Sequence, residues 1–129
     1  MQIYKNKAFA KFARKEHISD AKLCEVIRNI DNGKVDADYG GGVIKQRIAR
    51  PNEGKSGGYR AIIFFRHKTR SFFVYGFSKK DRENIDESEV KEFKELANVI
   101  LQLNNEDIAR LLENGTFMEI ICHDENQNL

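Results

Sequence analysis

Hydrophobic residues follow two different periods along this chain. Ala8, Phe9, Phe12 and Ala13 keep helical spacing within residues 5–15, leaving a basic outer face. Leu23, Val26, Ile27 and Ile30 repeat that spacing after Ser19, a favourable N-cap, and the repeat stops at Gly33. The pattern predicts two amphipathic helices separated by the break His17–Ile18 and folded back as a hairpin, preceded by a short edge strand at residues 2–4. Residues 34–42 read as a polar connection ending in Gly40, Gly41 and Gly42. Those glycines lack the spacing of a phosphate-binding loop and lead into a strand, so flexibility is their expected role.

The period then changes to two. Three runs of strand-forming residues, 43–49, 59–66 and 72–78, predict an antiparallel meander. Alternation sends Lys45 and Arg47 to one face and Ile44, Gln46 and Ile48 to the other. In the next run Arg60, Ile62, Phe64 and Arg66 share a face, opposite Tyr59, Ala61, Ile63 and Phe65. The third run is apolar on both sides, as a central strand would be. A glycine-rich hairpin loop at 51–58 and a tight turn at 67–71 connect them. Helical spacing returns with Asp86 and Glu89, arranged as a capping box ahead of an apolar stripe from Val90 to Leu103. Asn105 is expected to cap a further short helix through Leu112, closed by Gly115, and residues 116–122 add a final edge strand.

The fold class is therefore α+β: two N-terminal helices packed on a small, mainly antiparallel sheet, followed by a helical extension. A chain of 129 residues suits a single domain, with a core over about residues 3–103, an extension over 104–122 and a frayed tail from 123. No apolar run is long enough to span a membrane, and the basic N-terminus lacks the pattern of a signal peptide. Cys24 and Cys122 form neither a metal spacing nor a disulfide framework, and are expected to be buried thiols in a reducing cytosol.

Charge changes the picture. The whole chain carries only +2, but residues 43–82 hold eleven Lys and Arg against two acids, a local +9. Residues 83–129 carry −9. A basic centre beside an acidic end points to a nucleic-acid partner, or to an acidic segment folding back on the basic one.

The ordered set Lys45-x-Arg47, then Gly57-Gly58-Tyr59-Arg60, then Gly76-Phe77-Ser78-Lys79-Lys80-Asp81-Arg82 resembles the RelE/HigB group of bacterial toxins within the RelE/ParE superfamily. The resemblance implies the toxin of a toxin–antitoxin pair: a metal-independent, cytoplasmic endoribonuclease that cleaves mRNA on the ribosome, needs no cofactor and is neutralised by a helix-turn-helix antitoxin. In that group the 2′-hydroxyl attacks the adjacent phosphate and leaves a 2′,3′-cyclic phosphate. Mapped onto this chain, Lys45 and Arg47 act as general base and stabiliser of negative charge, Arg60 clamps the phosphate, and Lys80 assists the leaving group. Neighbouring cations would lower the pKa of Lys45 enough for it to take a proton. Arg50, Lys55, Tyr59, Lys79 and Arg82 are the expected RNA contacts, with Tyr59 pointing away from Arg60 if its strand is regular. The group's tyrosine beyond the basic exit has no counterpart here; Asp86 falls near that position and reads as a helix cap. The alternatives are a ParE-like inhibitor of a topoisomerase and a non-catalytic RNA- or protein-binding member of the fold. Catalysis needs the cluster Lys45, Arg47, Arg60 and Lys80, whereas inhibition by protein contact does not, and this favours the nuclease.

Overall fold

The computed structural model describes residues 1–49 and 58–123. The elements run β1 (Gln2–Asn6), α1 (Lys7–Lys15), α2 (Asp20–Asp31), β2 (Ala37–Gly40), β3 (Val43–Ile48), β4 (Tyr59–Arg66), β5 (Arg70–Ser78), α3 (Glu87–Ile100), α4 (Asn105–Glu113) and β6 (Phe117–Ile120). They form an α+β fold around one six-stranded sheet of order β2-β3-β4-β5-β1-β6. The expected meander is its centre: β3 to β4 and β4 to β5 are antiparallel, while β1 lies parallel to β5.

Two strands correct the expectations. The N-terminal strand is not at the edge; it lies between β5 and the final strand, which takes the outer position. Both edges of β1 are consequently paired, and Ile3 and Tyr4 are buried on its opposite faces. The polar connection also contains a strand, β2, joined to β3 through Gly41 and Gly42 at φ +63° and +84°. Positive φ at both turn positions is what a two-residue hairpin of the primed type requires, so these glycines shape a turn rather than supply flexibility. A Cβ on Gly42 would also meet Leu101 at 2.5 Å, because the end of α3 packs on that turn.

The sheet is buried on both faces, where only one cover was expected. Phe9 and Ala13 of α1 and Leu23, Val26, Ile27 and Ile30 of α2 pack on Ile44, Ile48, Ala61, Ile63 and Phe73. On the other side, Val43, Ile62, Phe64 and Phe72 are covered by Phe93 and Ala97 of α3 and Ile108 of α4. The caps explain where these helices start. Asn6 accepts from Phe9 N at 2.8 Å and donates to Val74 O at 3.0 Å, which keeps Lys5 and Asn6 out of the helix. Ser19 caps α2 as expected, and Asp86 and Glu89 form the capping box of α3. Asn104, one residue earlier than expected, caps α4.

Three arginines from the basic stretch tie α3 and its exit to the sheet. Arg66 donates to Leu101 O at 2.9 Å, Arg70 donates to Leu103 O and to Asn105 Oδ1, and Arg82 binds Glu89 near the helix start. Cations near a helix C-terminus satisfy its orphan carbonyls and complement its dipole. Part of the acidic end thus folds onto the basic centre.

Cys24 and Cys122 form a disulfide across 98 residues, with Cα atoms 5.8 Å apart, which replaces the expected pair of buried thiols. Cys24 is buried in α2, while Cys122 is exposed just beyond β6. The addition of β6 outside β1 carries Cys122 to that helix, a proximity that no local spacing announces.

Candidate active site on the basic face of the sheet

Side-chain alternation on β3 and β4 proceeds as the sequence implies. In the register of this pair, Lys45 stands opposite Ile62 and Arg47 opposite Arg60. On β5, Tyr75 pairs with Ile62 and Phe77 with Arg60, on the near side of an irregularity in the ladder. Two rows therefore cross the face that α3 partly covers: Lys45–Ile62–Tyr75 and Arg47–Arg60–Phe77.

The second row contains an arrangement that is unfavourable on its own. Directly opposed residues hold their Cβ atoms about 5 Å apart, so like charges there repel. Arg60 is only 9% exposed, which weakens solvent screening of that repulsion. One acid relieves part of it: Asp36 Oδ2 lies 3.4 Å from Arg60 Nε. Arg47 Nε is buried and has no hydrogen-bond partner among the described residues. Two arginines opposed in register on adjacent strands bring planar donor forks to one part of the face, which is chemically suited to a phosphate.

Lys45 Nζ donates to Asn84 Oδ1 at 3.3 Å, and the same oxygen accepts from Ile85 N at 2.9 Å and from the Tyr39 hydroxyl at 3.5 Å. Asn84 thus anchors the lysine to the segment that leads into α3. Asp86 serves as helix cap, as expected: its Oδ1 accepts from Glu89 N at 2.8 Å.

Arg82 is engaged within the protein. Its Nη1 donates to the Tyr75 hydroxyl and to Glu89 Oε2, each at 3.0 Å, its Nη2 to Glu89 Oε1 at 2.5 Å, and its Nε to Asn84 O at 3.1 Å. The guanidinium carbon also lies 5.8 Å from the Tyr75 ring centre and 5.7 Å from that of Phe77. Hydrogen bonds from Arg82, followed by the backbone N–H of Asp86, hold the Glu89 carboxyl below its ordinary pKa. The bond to Glu89, then that to Tyr75, raises the already high pKa of Arg82.

Of the remaining expected site residues, Lys79 and Lys80 are exposed in the turn beyond β5, where Lys80 N donates to Ser78 Oγ at 3.2 Å. Tyr59 does not join the basic face. It is 4% exposed on the opposite side, edge-on to Phe12 with ring centres 5.6 Å apart, so its ring is not offered for stacking there. Arg50 and Lys55 lie outside the described residues. Among the described residues no group of three or more His, Cys, Asp or Glu is placed to hold a metal ion.

Sequence reasoning missed Asp36, Asn84 and Tyr75. The first two sit in segments without periodicity, so no pattern marks them. Alternation puts Tyr75 on the same face of its strand as Phe77, but that this face meets Arg60 is given only by the register.

The family model described as the RelE toxin of the RelE/RelB toxin–antitoxin system matches residues 1–120. No match is found among curated proteins.

Proposed function

The chain belongs to the RelE toxin family, and from that premise we propose that it is a metal-independent endoribonuclease that cleaves mRNA on the ribosome. As a toxin of a toxin–antitoxin system it has a cognate antitoxin, which we propose to be a helix-turn-helix DNA-binding protein. Ribosome-bound mRNA places its action in the cytoplasm. No helix among the described residues is long and apolar enough to cross a membrane.

The observation that carries the nuclease reading is the register pair Arg47–Arg60 beside Lys45. Cations fixed at one point in advance suit a phosphoryl transition state, whose charge gathers on the non-bridging oxygens. In this reading Arg60 and Arg47 bind the scissile phosphate, Lys45 takes the proton of the attacking 2′-hydroxyl, and Lys80 lies at the leaving-group side. The new 2′-oxygen–phosphorus bond forms as the bond to the 5′-oxygen breaks, leaving a 2′,3′-cyclic phosphate. Inhibition of a topoisomerase, or RNA binding without cleavage, would not require opposed guanidinium groups around a single phosphate.

The test is controlled expression followed by mapping of the 5′ ends of cellular RNA, beside a Lys45→Ala, Arg60→Ala double variant. Growth arrest with new ends is expected from the natural protein and neither from the variant. Arrest without new ends would overturn the nuclease reading in favour of a topoisomerase target; equal cleavage by the variant would overturn the site.

A further inference from the structure

We infer that Tyr75 is the general acid of this site, delivering its phenolic proton to the 5′-oxygen that leaves, with Arg82 as its positioning residue. The inference rests on the nuclease reading and assigns the proton donor that the basic cluster lacks.

The register brings Tyr75 to the reacting face. It pairs with Ile62 in the same row as Lys45, and its neighbour two residues on, Phe77, pairs with Arg60. Residues diagonal to each other across adjacent strands lie about 7–8 Å apart, within reach of long side chains, so a phosphate held by Arg60 is accessible to a phenol at position 75. The ring is partly exposed and is held between Phe77 and Phe93, with centres 5.9 and 6.1 Å away.

Its hydrogen bonding suits an acid. The phenolic oxygen accepts from Arg82 Nη1 at 3.0 Å, and among the described residues its own hydrogen has no acceptor. That hydrogen is therefore free to meet a ligand oxygen. As it departs, the developing phenolate already faces a guanidinium, and the two bonds from Arg82 to Glu89 fix that guanidinium in place. Over the cycle the 2′-hydroxyl proton passes to Lys45 and the Tyr75 proton to the 5′-oxygen. Lys45 then loses a proton to water and the phenolate regains one, so both groups return to their starting states. In the exit turn Lys80 is exposed, and its side chain has no hydrogen-bonded partner among the described residues, so nothing orients it as Arg82 orients Tyr75.

A general acid is dispensable when the leaving group needs no proton. The test compares the natural protein with Tyr75→Phe on two RNAs of one sequence, offered free and on programmed ribosomes: ordinary RNA, and RNA with sulfur in place of the scissile 5′-oxygen. The substitution keeps the ring against Phe77 and Phe93. On ordinary RNA the variant is expected to lose roughly 100-fold or more in cleavage rate, with little change in the concentration giving half-maximal rate. On the sulfur-bridged RNA most of that loss should disappear. An equal loss on both RNAs, or none on either, would overturn the assignment while leaving the nuclease reading intact. No cleavage by the natural protein in any of the four reactions would overturn the nuclease reading itself, and the inference with it.

Discussion

Arg82 grips Glu89 through two hydrogen bonds, 2.5 and 3.0 Å long, joining the exit of the basic meander to the first turn of the acidic helix. Glu89 also receives the Asp86 backbone N–H at 3.0 Å, so one carboxylate closes the helix cap and orients the guanidinium beside Tyr75.

That carboxylate gives stability a pH dependence of definite sign. Arg82 holds the folded-state pKa of Glu89 below its unfolded value. The associated stabilisation is complete above the ordinary glutamate range and is lost as pH falls through the depressed folded value. Glu89→Gln should therefore lower the melting temperature most near neutral pH, with the two proteins converging in acid. Thermal unfolding across that range checks it; a difference that grows on acidification would contradict the sign.

At position 60 the shape of the cation matters as well as its charge. Arg60→Lys keeps the charge beside Asp36 but removes the planar fork. Hydrogen bonds to charged groups contribute about 1.5–3 kcal/mol, so the cleavage rate should fall about ten- to a hundredfold while the unfolding midpoint changes little. Single-turnover cleavage and denaturant titration on the same samples separate the two effects.

Gly76 reports how closely α1 approaches β5. A Cβ there would sit 2.3 Å from Phe12 Cδ2. Gly76→Ala should destabilise the protein by about 1–3 kcal/mol through overpacking, and Phe12→Leu in the same chain should restore part of the loss. Denaturant midpoints of the single and double variants test this coupling.

The disulfide makes stability responsive to thiols. Closing a loop of nearly a hundred residues restricts the unfolded chain by an amount that the entropy model places at about 4–5 kcal/mol. Cys24 and Cys122 are 98 apart in sequence. Reductant should lower the melting temperature of the natural protein and leave that of Cys122→Ser, already lower, unchanged.

The legible parts of this molecule are those governed by neighbours in sequence. Alternation puts Lys45 and Arg47 on one face of β3 and Arg60 opposite Tyr59 on β4, because both strands are regular over those residues; only the register shows that the three basic residues share a face. Ser19 and Asp86 announce their helices through bonds only three residues long. What escaped depends on contacts made at a distance. Residues 2–6 look like any short edge strand until both β5 and β6 are known to flank them. β2 hides because Asp and Gly are poor strand formers, and its pairing with β3 overrides that preference. Positions 66, 70 and 82 read as part of a binding surface, yet each arginine holds one end of α3 or the segment just beyond it. Net charge in a segment counts its cations but cannot say which are already occupied.

The placement of β1 decides when this sheet can close during synthesis. Its residues leave the ribosome before those of every other strand of the sheet, yet they pair on one side with residues 70–73 and on the other with 117–120. A chain of which only the first hundred residues have emerged still exposes the β1 edge that β6 will cover, and α4 has yet to form. Closure of this sheet therefore waits until residues 117–120 have emerged, and a partner could meet the unfinished edge throughout the synthesis of the residues between β5 and β6.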